Sequence, residues 1–207
     1  MGPLFHDFLI GMLGWASGTL SLMAIEWDKD QKKKKGAKIS IDSDLKNFAV
    51  RLIATYSKIQ RFFGIYDRKT LQKLKSIYEK YAKNNESEII ERIDELLKKM
   101  DQDQVDEINV PRENFDALGV KTYSLPFVES NQNYLLLFNE NYQRNILEIL
   151  TNMNNLNEEV ELVMEFYHKT FNTQGQQARI VHGNIESCYR NIQRISIYII
   201  DHIERVV

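Results

Sequence analysis

The chain has 207 residues, 43% hydrophobic and 27% charged, with a net charge of −2. That length supports one globular domain beside an accessory segment, and so small a net charge excludes a strongly basic nucleic-acid binder. The single cysteine, Cys188, excludes an internal disulfide and any multi-cysteine metal site, which fits a reducing compartment.

Residues 8–25 contain no charged side chain. At about 1.5 Å per residue such a helix would span roughly 27 Å, close to the hydrocarbon thickness of a bilayer, so residues 1–27 are expected to be an N-terminal transmembrane anchor. No Lys or Arg precedes Lys29, which argues against a cleaved secretory signal. The competing reading is a buried helix of a soluble core, because Gly11, Gly14, Ser17, Gly18, Thr19 and Ser21 interrupt the apolar run. Gly11, Gly14 and Gly18 fall on one stripe where another helix could approach closely, so the anchor is expected to self-associate.

Lys29, Lys32, Lys33, Lys34, Lys35 and Lys38 follow within a basic linker over 28–41. The positive-inside bias puts this flank in the cytoplasm and the N-terminus outside, as in a single-pass protein of the inner (plasma) membrane. The lysines would also meet anionic headgroups. A nucleic-acid reading of the run is poorer, since it has no aromatic residues interleaved with it.

The remainder, 42–207, reads as a cytosolic helical domain. Apolar residues recur at three-and-four spacing from Leu45 to Phe63, with Asp42, Ser43 and Asp44 as capping choices, and shorter stripes follow over 71–81 and 89–100. Pro111, Gly119 and Pro126 punctuate an irregular connection. A long stripe from Leu135 to Phe171 and a second from Val181 to Val206 flank Asn172-Thr-Gln-Gly175, predicting two long antiparallel helices. The expected fold class is therefore all-α.

The segment Gln177-Ala-Arg-Ile-Val-His-Gly-Asn184 resembles the motif of HEPN domains, helical bundles in which an arginine precedes a histidine by four to six intervening positions. Gln177 stands where that arginine would be at the commonest spacing, and Ala178 replaces the usual polar residue. The resemblance implies His182 as a proton-handling residue, with Arg179 or Arg190 as substitutes for the missing arginine, in a site usually shared by two protomers. Loss of a preorganised cation of this kind can cost about 10² to 10³ in rate, so Gln177 weighs against nuclease activity.

The layout of the whole chain resembles the small membrane-anchored HEPN-like accessory proteins of RNA-targeting CRISPR systems. That resemblance implies a homo-oligomeric membrane pore that depolarises the cell in antiviral defence, with RNA or a CRISPR effector protein as a partner. Two further expectations stand beside it: a membrane-tethered ribonuclease using His182, and a noncatalytic adaptor that binds a partner protein. His6, His168, His182 and His202 show no metal-ligand spacing, and no cofactor is expected. Asp94-Glu95 and Glu158-Glu159-Glu161 read as solvated helix faces.

Overall fold

The computed structural model describes residues 3–82, 88–110 and 119–207, with side chains at 12, 15 and from 17 onward in the first helix. Helix α1 runs unbroken from Pro3 to Phe63. It is followed by strand β1 (Ile65–Asp67), α2 (Arg68–Tyr81), α3 (Glu88–Asp103), strand β2 (Glu107–Asn109), the short α4 (Pro126–Ser130), a 3-10 turn over Gln132–Leu137, α5 (Glu140–Thr170) and α6 (Gly175–Val206).

The core is built on the C-terminal half of α1. Ala37, Ile41, Leu45, Phe48, Leu52, Tyr56, Ile59 and Phe63 are buried along one stripe, as a helix packed on one face requires. Leu71, Leu74 and Ile77 of α2 and Ile93 and Met100 of α3 close one side. On the other, where α5 and α6 pack together, Ile146, Ile149, Met153 and Leu156 of α5 and Ile185, Ile192 and Ile199 of α6 are buried. The α5 and α6 pairing is antiparallel, as expected: Asn145 meets His202, Glu148 meets Tyr198, and Glu159 meets Asn191.

Local chemistry sets the element ends. Gly64, at φ 69°, ends α1 in the left-handed region, donating to Gln60 O at 2.7 Å. Asp67 caps α2 by accepting from Thr70 N at 2.8 Å, and Asn139 caps α5 by accepting from Tyr142 N at 2.9 Å. β1 and β2 form an antiparallel two-stranded ribbon, braced by Arg68, which bonds Asp101, Asp106 and the Val105 carbonyl.

The expected transmembrane anchor is corrected by the structure. Among the described residues no helix is long and apolar enough to cross a membrane, and the single-pass inner-membrane placement is corrected with it. The described side chains show why. Ser17, Gly18, Thr19 and Ser21 dilute the apolar run, and from Glu26 to Lys46 every turn carries charge. The Thr19 and Ser21 hydroxyls donate back to Trp15 O and Ser17 O, at 3.1 and 2.8 Å. Residues 28–41, expected as a linker, are helical and continuous with the core helix.

The capping role foreseen for Asp42 and Asp44 is also replaced. Lys38 pairs with Asp42 at 3.0 Å one turn away inside α1, and Asp44 accepts from Phe127 N at 2.8 Å, tying α4 to α1.

Candidate functional site

His182 and Arg179 both lie on the exposed side of α6 near its start, while Arg190 sits two turns further along. The Arg190 guanidinium lies over the Phe63 ring, 4.5 Å from its centroid, a cation–π contact with the end of α1. Among the described residues no hydrogen bond or ion pair joins His182, Arg179 and Arg190 to one another. Gly11 and Gly14 lie on α1 but outside the residues whose surroundings are described. Gly18 has open space around it, with nothing near where a side chain would begin.

Two grooves flank the first turns of α5 instead. The larger, about 430 Å³, lies between α5 and the C-terminal turns of α6. His202 is its deepest polar group, 7% exposed. Its Nδ1 is 3.2 Å from Oδ1 of Asn145, and the Asn145 amide is oriented by Nδ2 donating to Asn141 O at 2.9 Å. With that amide fixed, Asn145 presents an acceptor to His202, which assigns the imidazole proton to Nδ1 and leaves Nε2 on the groove side. Nε2 lies 3.9 Å from Oε2 of Glu148, too far for a hydrogen bond, and that oxygen accepts from the Tyr198 hydroxyl at 3.0 Å. Arg144 and Arg205 stand at the rim.

The second groove, about 400 Å³, lies between α1 and the start of α5. Phe138 and Tyr142 stack with centroids 4.4 Å apart, and Lys34 and Lys38 lie over them at 5.6 and 5.4 Å. The lysine run therefore does meet aromatic rings, supplied by a segment a hundred residues away in sequence. Burial, and then the charge of Asp42, push the Tyr142 hydroxyl well above its usual range.

The acidic stretches divide. Asp94 pairs with Lys75 at 2.6 Å between α3 and α2, as a surface carboxylate does. Glu159 is not a fully solvated residue: it accepts from Asn191 at 2.9 Å, and its other oxygen is buried beside Cys188. Among the described residues no group of three or more His, Cys, Asp or Glu side chains could hold a metal ion.

Comparison with protein-family models, with curated proteins and with solved structures gave no match.

Proposed function

We propose that the protein is a self-assembling, noncatalytic helical adaptor whose N-terminal arm gathers copies of the same chain. The observation that supports this is the arm itself. Met12, Trp15, Leu20, Leu22, Met23, Ile25 and Trp27 are all between 52 and 72% exposed, on the part of α1 that precedes the core. At about 100° per residue these side chains spread over about 220° of the helix circumference, and Ser17, Ser21 and Ala24 occupy the remaining sector. An apolar face more than half the circumference wide is stable when several neighbours cover it, and a flat surface would cover only part of it.

Equivalent helices of other copies can surround it. Glu26, Asp28 and Asp30 precede the basic run Lys32–Lys35 over the nearly three turns that follow, and Asp28 and Asp30 pair with Lys32 and Lys33 on the same helix, so arms offset by about a turn can place opposite charges against one another. Gly18 leaves room for close helix approach.

Light scattering on the full chain after gel filtration tests the reading. The expected result is a discrete oligomer at about 10 μM that becomes a monomer of unchanged helicity in a Leu20→Glu, Met23→Glu variant. A wild-type monomer, or a monomer that binds anionic lipid vesicles through the arm, would overturn it.

A further inference from the structure

We infer that the His202 groove is a binding site for a nucleoside phosphate, distinct from the self-association of the arm. The groove combines a volume in the range of small-ligand sites with polar groups of three kinds converging on it. Arg144 and Arg205 offer two planar guanidinium forks at the rim, a geometry that suits the oxygens of a phosphate. Two guanidiniums against the single carboxylate of Glu148 leave the groove electropositive.

The floor suits the rest of such a ligand. Glu148 uses Oε2 to hold Tyr198, and Oε1 has no hydrogen bond among the described residues, so a ribose hydroxyl can donate to it. The Tyr198 ring, 44% exposed and tilted against His202 with centroids 4.6 Å apart, gives a flat aromatic face at the groove wall on which a base can stack. His202, more than nine-tenths buried, has Nδ1 turned to the Asn145 acceptor, so in the neutral imidazole its Nε2 faces the groove as an acceptor. A bare anion would use the arginines alone, and an acidic peptide would have no use for the aromatic face or the Nε2 acceptor.

These features also separate the groove from the sequence motif at His182, which lies about five and a half turns away along α6.

Titration calorimetry of the full-length protein with adenosine 5′-monophosphate, adenosine and inorganic phosphate tests the assignment. The nucleotide should bind once per chain, with adenosine and phosphate each at least tenfold weaker. Arg144→Ala and Arg205→Ala should each weaken the nucleotide tenfold or more, whereas Arg194→Ala, an exposed arginine on the same helix, should not. Because the two arginines are exposed, the variants are expected to keep the wild-type circular dichroism spectrum. As a second readout, the ¹⁵N resonance of His202 Nε2 should move on nucleotide addition while that of Nδ1 stays near its protonated position. No binding to the folded protein at millimolar nucleotide, or binding undiminished in an Arg144→Ala, Arg205→Ala double variant, would overturn the proposal.

Discussion

Asn157 grips Tyr123 by both of its backbone polar groups: the Tyr123 N–H donates to Oδ1 at 2.7 Å, and Nδ2 donates to the Tyr123 carbonyl at 2.9 Å. This amide stands in for a strand partner and pins the connection before α4 onto α5. Tyr123 itself is buried against Phe48, at 5.4 Å between centroids, and its hydroxyl meets Thr55. Asn157→Ala should strand both backbone groups and cost about 2 to 3 kcal/mol, read as a lower urea midpoint with an unchanged slope.

Alkaline pH should destabilise the fold in a defined window. Burial, reinforced by Glu159, pushes the Cys188 thiol up to about 11, and burial with the charge of Asp67 pushes Tyr56 up to about 12. Tyr123 is raised by burial as well. In each case the native state holds the proton more tightly than the unfolded chain. The stabilisation is therefore complete below about pH 8, where the unfolded thiol begins to ionise, and is lost as pH rises through 11 to 12. Urea midpoints at pH 8, 10 and 11 should fall progressively, and Cys188→Ala should flatten the first part of that fall. At pH 8 the thiol should react slowly with a disulfide reagent unless the protein is unfolded.

The motif residues on α6 should separate by their contacts. Arg190→Ala removes the cation–π contact with Phe63 and should cost about 0.5 to 1 kcal/mol, whereas His182→Ala, on an exposed face, should stay within about 0.5 kcal/mol of wild type. Thermal unfolding of the two variants side by side gives the comparison.

Gly175 opens α6 at φ 60°, a left-handed backbone position. A side chain there would meet open space, so the cost of Gly175→Ala is the backbone strain alone, about 1 kcal/mol. Differential scanning calorimetry should show the same sense and size of effect without loss of cooperativity.

The helical stripes were legible in the sequence because burial imposes its period: Leu71, Leu74 and Ile77 lie where the spacing puts them, and the short turn before Gly175 forces α5 and α6 antiparallel. The continuity of α1 was not, because Asp42, Ser43 and Asp44 have the composition of a cap. Whether such residues start a helix depends on what else they can bind, and here Lys38 and Phe127 N engage the two carboxylates. The His202 groove left no local trace. It could have been found by reflecting position 202 through the turn before α6, which lands on Asn145, and the aromatic floor under Lys34 and Lys38 had no such guide. The transmembrane expectation fails on polarity: a stretch without charge is not thereby an apolar one, and Ser17, Thr19 and Ser21 make the difference.

The unbroken run of α1 gives the molecule an angular phase. A helix of 61 residues is about 92 Å long, and each residue along it adds about 100° of turn. With no hinge between Gly18 and the first core residue, Ala37, the direction in which each arm side chain points is set by the orientation of the bundle. One residue inserted beside Gly36 would lengthen the rod trivially yet swing Trp15 and Leu20 by more than a quarter-turn relative to α6, while seven would nearly restore them. The lysine-rich stretch thus acts as a drive shaft, transmitting rotation where a flexible tether would transmit only proximity.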